Sequence, residues 1–215
     1  MIIDTSTLDR AALNALINGL VYPRPIAWVS TLSASGHANL APFSFFNAFS
    51  FFPPTVAIGP GSRGGVNKDT LRNIRETGEF VVSLVNEDLA RLANATSAEF
   101  GPEINEWDAI GIKGAESEVV KPRRVAASPA SFECKLFQIV DLGAPESPTN
   151  SLVIGRVLRI YVVDAAMDGP NPRPEILKLV ARMGGSVWCR TSDRFSLPRP
   201  SSADPAEVRQ ALDKN

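Results

Sequence analysis

The sequence of 215 residues is poor in the residues that build metal sites and catalytic triads: it has one histidine, His37, and two cysteines, Cys134 and Cys189. The cysteines are far apart and lack CxxC spacing, so they indicate neither a disulfide framework nor a zinc site, and we expect buried free thiols. A single histidine argues against His-rich metal sites and against most general-base schemes built on imidazole. We therefore expect no metal site, nominate no catalytic side chain and assign the chemistry to a cofactor.

The sequence also lacks a strong charge and a long apolar run. Its formal net charge is -1, and no block of Lys and Arg occurs, so nucleic acid is not an expected partner. No stretch approaches eighteen uninterrupted apolar residues, and the first ten residues do not resemble a signal peptide. With 44% hydrophobic and 21% charged residues, we expect a globular, cytoplasmic protein with one buried core over a single domain, residues 1–215.

The most informative stretch runs from Pro23 to Asn47. It predicts a hairpin with a first strand over Ile26–Leu32 and a Ser/Gly turn over Ser33–His37. Between positions 43 and 52 the chain has six phenylalanines, interleaved with Ser44, Asn47 and Ser50. Two interpretations stay open. The hairpin is either a satisfied part of the core, or one of its faces offers hydroxyl, amide and main-chain groups to a flat, partly polar ligand.

A second informative stretch follows at residues 59–70. Glycines at 59, 61, 64 and 65 precede a helix that we expect to begin near Asp69, and Ser62, Arg63, Asn67, Lys68 and Thr70 supply hydrogen-bond donors. Cations and a mobile backbone at the start of a helix suit a phosphate monoester. The alternative is a solvated surface loop, because the stretch is neither a Walker motif nor a GxGxxG fingerprint.

The remaining pattern predicts a mainly β protein with peripheral helices. We expect a first helix over 8–18 that ends at Gly19, an irregular segment over 96–129, and a proline-rich tail over 197–215 with a short helix after Asp204. The predicted strands are Thr55–Gly59, Phe80–Val85, Ser131–Leu142 and Leu152–Val163. Because strands do not alternate with long helices, the pattern favours an antiparallel barrel over a Rossmann or TIM architecture.

Four separated motifs now stand in order along the chain: PRPIAWVST at 23–31, NLAPFSFFN at 39–47, KDT at 68–70 and RMGG at 182–185. Together they resemble the flavin reductase-like family, the flavoredoxin branch of the FMN-binding split barrels. The resemblance covers nearly the whole chain. It implies a homodimeric split β-barrel of Greek-key type that holds FMN without a covalent bond near the subunit interface and often takes hydride from NADH or NADPH.

The resemblance also implies which residues bind FMN. Strand residues Val29, Ser30 and Thr31 would edge the flavin ring, and the facing ring contacts would come from Asn39, Ala41, Pro42, Phe43 and Ser44. Asn47 would hold the ribityl or phosphate end. The phosphate would lie among Ser62, Arg63, Lys68, Asp69 and Thr70, with Asp69 capping the helix. Arg182 is a further candidate, for which a structural ion pair is an equal alternative.

The implied function is that of a flavin reductase-like oxidoreductase, in which hydride passes from nicotinamide to the flavin and then to an unidentified acceptor. A free flavin, a partner monooxygenase, a ferric chelate or a redox protein would suit. Two alternatives remain: an FMN electron carrier without its own nicotinamide site, and a non-enzymatic barrel that binds an aromatic ligand or a protein through the Phe-rich hairpin. The candidate dimer surface comprises Phe49, Phe51 and Phe52, with Trp107 and Trp188.

The sequence departs from the family pattern at three positions. Arg156 stands where members often have Glu, Tyr161 where many have His, and Trp188 where Tyr is usual. A tyrosine does not carry a proton near neutral pH as a histidine does, so a mechanism through that histidine is not expected here.

Overall fold

The computed structural model describes residues 1–63, 66–101, 103–143, 150–201 and 203–212, without the side chains of residues 63, 66, 211 and 212. Its helices are α1 (Arg10–Leu20), α2 (Asp69–Thr77), α3 (Ala90–Ala95), α4 (Glu106–Ile110), α5 (Pro174–Leu177) and α6 (Pro205–Leu212), with 3-10 turns at Thr5–Thr7 and Asp164–Ala166. Among these described helices, none has the length and apolar character needed to cross a membrane.

The strands are short except for one long central pair. In chain order they are β1 (Arg24–Pro25), β2 (Ala27–Leu32), β3 (Ala38–Phe43), β4 (Phe46–Phe51), β5 (Pro54–Ile58), β6 (Ser62–Arg63), β7 (Val66–Asn67), β8 (Glu79–Leu84), β9 (Gly114–Ala115), β10 (Arg124–Val125), β11 (Ala130–Asp141), β12 (Ser151–Val162), β13 (Met167–Asp168), β14 (Asn171–Pro172), β15 (Val180–Arg182) and β16 (Trp188–Arg190). The predicted mainly β class with peripheral helices is confirmed.

Within the described residues, seven strands form one antiparallel sheet in the order β3-β2-β8-β11-β12-β5-β4. A flat sheet of this width would place its two edges about 29 Å apart at the usual strand spacing of about 4.8 Å. The edge strands β3 and β4 are nevertheless joined by Ser44 and Phe45 alone, a connection that spans at most about 11 Å between Phe43 and Phe46. The sheet must therefore roll back on itself. In the part of the chain that the structure describes, its edge strands β3 and β4 do not pair with each other, so the rolled sheet is not a closed barrel.

Strand β2 shows how the rolled sheet is packed on both faces. Ala27 and Val29 point to an inner cluster that also receives Leu71 and Ile74 from α2. On the alternate positions, Ile26 and Trp28 join an outer cluster that continues through Leu40, Val85, Leu89, Ala93, Trp107, Val125 and Val180. Both faces of β2 are buried, which explains why its sequence is apolar without strict alternation.

The predicted hairpin and the long strand pair are confirmed. Strands β2 and β3 pair from Ala27 with Phe43 to Leu32 with Ala38, and β11 and β12 lie within one residue of their predicted bounds. The predicted end of the first helix at Gly19 is wrong. The Asp9 carboxylate accepts a hydrogen bond of 2.7 Å from the Ala12 N–H, so α1 begins at Arg10, passes through Gly19 and ends at Leu20.

The segment predicted to be irregular, 96–129, contains α4 and the two-residue strands β9 and β10. Trp107 of α4 is 2% exposed and belongs to the outer cluster. Its burial means that Trp107 cannot contribute to a dimer surface, so this part of the prediction is wrong. The segment covers the outer face of the sheet.

Gly155 in β12 permits the close approach of Phe80 to the sheet. A Cβ atom at position 155 would lie 2.3 Å from Phe80 Cζ, and Phe80 is fully buried. Because overpacking a core is destabilising, we predict that Gly155→Ala lowers the free energy of unfolding by about 1–3 kcal/mol. Urea denaturation measures this change. The matched control is Gly19→Ala in α1, where a Cβ meets no neighbouring atom within 4 Å and a gain of up to about 1 kcal/mol is expected. Equal effects of the two substitutions would contradict this packing.

Candidate functional site

Strand β3 and the start of α2 enclose a cavity of about 490 Å³, here called the α2 cavity. Its volume lies in the range of small-molecule sites. It brings together six of the predicted site residues, Asn39, Ala41, Pro42, Lys68, Asp69 and Thr70. The rest of its lining comes from Asn67, Arg72, Thr96, Ser97, Ala98, Glu99, Phe100 and Glu106.

The first turn of α2 brings a lysine and backbone N–H groups to this cavity. Lys68 is the N-cap residue, makes no side-chain capping hydrogen bond, and places Nζ 5.3 Å from the centre of the Phe43 ring. The first N–H groups of a helix have no partner within it, and they favour an anion. Phe43 itself is buried in the inner cluster behind Lys68. A cation and backbone donors therefore meet at one end of the cavity.

The prediction that Asp69 caps the helix is wrong. Asp69 is the first helical residue, and its carboxylate lies 2.6 Å from a guanidinium nitrogen of Arg72, three residues further along α2. This pair partly neutralises the carboxylate beside the cavity.

A buried polar layer supports the floor of the α2 cavity. Asn39 Nδ2 donates to Thr70 Oγ1 at 3.3 Å, and Asn73 Nδ2 donates to Thr31 Oγ1 at 3.0 Å. These bonds tie strands β2 and β3 to helix α2. They fix the relative positions of the residues that line the cavity.

The structure does not bring Val29, Ser30 and Thr31 to the cavity surface. All three are 0–1% exposed, and the Ser30 hydroxyl donates to the Arg123 carbonyl at 2.5 Å. The reason is that β2 lies between β3 and β8 in the sheet. Its main-chain groups pair with both neighbouring strands. Their contact with a ligand stays a prediction, whereas their observed place is beneath the cavity.

Glu106 adds a partly buried carboxylate to the α2 cavity. Its Oε2 accepts a hydrogen bond of 3.0 Å from the Leu40 N–H on the outer edge of β3. Burial raises the pKa of Glu106, its own and the Leu40 backbone N–H groups oppose that shift, and the nearby Asp69 carboxylate raises the pKa further. The cavity is therefore of mixed charge, with Lys68 and Arg72 beside the carboxylates of Asp69, Glu99 and Glu106.

A second cavity of about 620 Å³ lies next to the first, and Pro42 and Ser97 line both. We call it the arginine cavity because Arg24 and Arg182 lie in its wall, and it brings together the predicted residues Pro42, Ser44 and Arg182. Its other lining residues are Ala11, Asn14, Ala15, Asn18, Ile26, Asn94, Met183, Gly185 and Trp188.

Sequence reasoning missed Arg24 as a site residue, although an arginine between two prolines in an apolar run was a usable signal. Arg24 is 6% exposed, and its guanidinium donates to the carbonyls of Asn18 and Met183 at 2.9 Å each. It also donates to the Val21 carbonyl and, at 3.3 Å, to the Ser44 hydroxyl. These bonds hold the charge rigidly at the cavity wall.

Two other predicted residues lie apart from the α2 cavity. Asn47 is on β4, on the opposite sheet edge, in a third cavity of about 410 Å³ beside Phe45 and Phe49. Asn47 does not line the α2 cavity, and its place at the ribityl or phosphate end of a ligand stays a prediction. Ser62 pairs with Asn67 in the β6–β7 hairpin, and the Arg63 side chain lies outside the described residues.

The departures from the family pattern fall into two places. Arg156 stacks 4.1 Å from the centre of the Phe137 ring, and the Tyr161 ring centre lies 3.7 Å from the Arg124 guanidinium. Both residues belong to β12, and neither lines the α2 cavity or the arginine cavity. Trp188 does line the arginine cavity. Only this third departure therefore bears on the candidate site.

A family model described as "Flavin reductase like domain" matches residues 19–179. The chain belongs to the flavin reductase-like family, and the prediction from its four motifs is confirmed.

Solved structures agree with this assignment. Component B of nitrilotriacetate monooxygenase from Bacillus cereus has a TM-score of 0.89 at 31% identity, covering 92% of this chain and 98% of that chain. The 2-nitrobenzoate 2-nitroreductase NbaA of Pseudomonas fluorescens has a TM-score of 0.84 at 33% identity, covering 95% and 100%. A split-barrel protein of Shewanella frigidimarina, at 22% identity, covers 93% and 100% with a TM-score of 0.81. The fold is thus that of the split barrels, whereas the Greek-key description stays a prediction.

Glu106 gives a pH-dependent prediction. Because its pKa in the folded protein lies above the usual 4.5, the protonated carboxyl is favoured by folding. The contribution of the protonated Glu106 carboxyl to the free energy of unfolding is complete below about pH 4.5. It is lost as the pH rises through the raised pKa of Glu106. We predict that Glu106→Gln, which keeps an acceptor for the Leu40 N–H, gains up to about 1 kcal/mol over the wild type between pH 4 and 7.

Urea denaturation across this pH range measures the gain. Glu207→Gln on α6, an exposed carboxylate, serves as the control and should show no such trend. A difference between Glu106→Gln and wild type that is the same at pH 4 and pH 7 would refute the assignment.

Proposed function

We propose that this protein is an oxidoreductase that binds FMN non-covalently and reduces it with hydride from a nicotinamide dinucleotide. The observation that carries this proposal is the pair of adjacent cavities, one with a lysine and backbone N–H groups at the start of α2 and one beside it with two arginines. Two ligands placed in adjacent cavities would approach each other at the shared residues Pro42 and Ser97. Flavin chemistry needs such a meeting of two rings.

The residues present fit FMN. Lys68 and the first N–H groups of α2 would hold the phosphate, and the Asn39 side chain, which donates to the buried Thr70, lies next to them for the ribityl hydroxyls. Ala41 and Pro42 carry small side chains, so a flat ring can approach the edge strand β3 closely. Bound FMN supplies the ability to accept hydride and to pass electrons on singly or in pairs. The chain's own part is to position the ring and to leave one of its faces open toward the arginine cavity.

The acceptor is proposed from chemistry and from the neighbours. Component B of nitrilotriacetate monooxygenase and a nitroreductase are both structurally similar to this chain. An open flavin site of this kind suits a partner oxygenase or a small acceptor that reaches the reduced ring. If the protein were only an electron carrier, neither NADH nor NADPH would reduce it without a separate reductase.

An absorption spectrum of the purified protein, before and after anaerobic addition of NADH or NADPH, tests the function. We expect a flavin spectrum that bleaches with one donor, and acid release should identify the flavin as FMN. A colourless protein that takes up no FMN on reconstitution would overturn the proposal.

Lys68 provides a prediction specific to the phosphate. A charge-assisted hydrogen bond is worth about 1.5–3 kcal/mol, so Lys68→Ala should weaken FMN binding by roughly ten- to a hundredfold. Riboflavin, which lacks the phosphate, should bind both forms equally in fluorescence titration. Lys113→Ala, at an exposed lysine outside both cavities, is the matched control. Equal weakening of FMN and riboflavin would show that Lys68 acts on the fold.

We further propose that the protein is a homodimer that uses the end of β4. Phe51 and Phe52 are 95% and 92% exposed, and Phe49 is exposed beside them on an edge strand. An apolar patch of this kind is an association hazard on a monomer and becomes an isologous interface in a symmetric dimer. The patch also borders the third cavity through Phe49. This would let a partner chain close that cavity.

Phe51→Asp tests the dimer. Burying a phenylalanine is worth about 1.5–3 kcal/mol, and a symmetric dimer loses two of them, so the substitution should raise the dimer dissociation constant by roughly a hundred- to ten-thousandfold in a sedimentation dilution series. Phe195→Asp replaces a phenylalanine that is 85% exposed in the tail and should leave the dimer unchanged. A wild-type monomer at every concentration sinks the proposal.

A further inference from the structure

The arginine cavity has a charge pattern that the proposed flavin site does not use. Arg24 and Arg182 stand opposite each other in the β1–β15 pairing. Among the described residues that line this cavity there is no carboxylate, and within the described chain neither arginine has an ion-pair partner. Two cations side by side without an anion are unfavourable, and a bound anion would relieve their repulsion.

The two arginines have different parts in such a site. Arg24 is fixed by carbonyl groups and by Ser44, so it contributes a rigid positive charge. Arg182 is partly exposed and bonds to the Gly185 carbonyl through Nε and Nη2, at 3.2 and 2.6 Å. Within the described chain its Nη1 makes no hydrogen bond, so this nitrogen can donate to a ligand. The guanidinium also lies 5.4 Å from the centre of the Trp188 ring, which limits its movement.

We propose that the arginine cavity binds the 2′-phosphate of NADPH, and that NADPH is therefore the preferred hydride donor. This inference rests on the proposed function. Sites that select NADH commonly use a carboxylate to accept from the ribose 2′-hydroxyl, whereas an arginine accommodates the 2′-phosphate of NADPH. The cavity has the second pattern. A dianion meets two guanidinium groups here, and a neutral ribose would leave both without a counter-ion.

The rest of the cavity suits the same ligand. Trp188 offers an aromatic surface for adenine, and the side chains of Asn14 and Asn94 offer amide groups for the sugar and base. A volume of about 620 Å³ accommodates a nucleotide. The nicotinamide end would then point toward the α2 cavity, which shares Pro42 and Ser97 with this one. The FMN phosphate, proposed at Lys68, does not compete for the two arginines.

Binding of adenosine 2′,5′-bisphosphate, 5′-ADP and 5′-AMP to the full chain, by calorimetry, tests the site without any turnover. We expect the 2′,5′-bisphosphate to bind at least tenfold more tightly than 5′-AMP. Arg182→Met keeps an unbranched apolar stem and loses the charged guanidinium, and it should weaken the 2′,5′-bisphosphate by about ten- to a hundredfold while leaving 5′-AMP unchanged. Arg182→Lys should restore part of the affinity. Arg10→Met, at an exposed arginine of α1 that does not line the cavity, should have no effect.

Stopped-flow reduction of the FMN-loaded protein gives the second measurement. NADPH should have a kcat/KM at least tenfold above that of NADH, and Arg182→Met should remove the difference by slowing NADPH alone. Equal binding of the 2′,5′-bisphosphate and 5′-AMP overturns the inference. The inference is also overturned if Arg182→Met weakens the binding of the 2′,5′-bisphosphate and of 5′-ADP equally, because Arg182 would then contact the pyrophosphate. If the 2′,5′-bisphosphate binds as expected but neither donor reduces FMN, the proposed function fails and the phosphate site stands.

Discussion

The short connection between β3 and β4 is the constraint on which the rest of the structure depends. Ser44 and Phe45 join the two opposite edges of a seven-stranded sheet, so the sheet has to roll. Rolling turns β3 toward α2 and the arginine cavity, and it leaves Phe49 and Phe51 of β4 on the outside. The segment that contains β3 and β4 thereby supplies both the edge strand beside the two cavities and an apolar outer patch.

The rolled sheet also determines where the charged start of α2 lies. Leu71 and Ile74 fill the inside of the roll, so the helix is anchored by its apolar side. Its first residues are then held at the rim, next to the edge strand β3. The outer cluster around Trp28 and Trp107 fixes the opposite face of the same strands. The cavity is therefore a consequence of packing on both faces of the sheet, and its walls are rigid.

Local features of this fold could be predicted from the sequence, and long-range pairing could not. The hairpin, the long strand pair and the helix beginning near Asp69 follow from periodicity and turn residues over short windows. The burial of Ser30 depends on β8, which lies some fifty residues further along the chain, and nothing local shows that β4, with Asn47, leaves β3 for the other edge of the sheet. The family motifs identified the class of protein and six of the fourteen residues that line the α2 cavity, but they gave no role to Arg24.

Arg24 shows how a chain with a net charge of -1 can still hold anions. With so little net charge there is no long-range field to attract an anionic ligand, so recognition depends on cations fixed at short range. A guanidinium that is almost fully buried needs compensation, and here it comes from carbonyl oxygens at and just beyond the last turn of α1, those of Asn18 and Val21. The carbonyl end of a helix carries partial negative charge, which suits a cation. The continuation of α1 past Gly19 thus places the acceptors that orient Arg24, and among the described residues no carboxylate forms an ion pair with it.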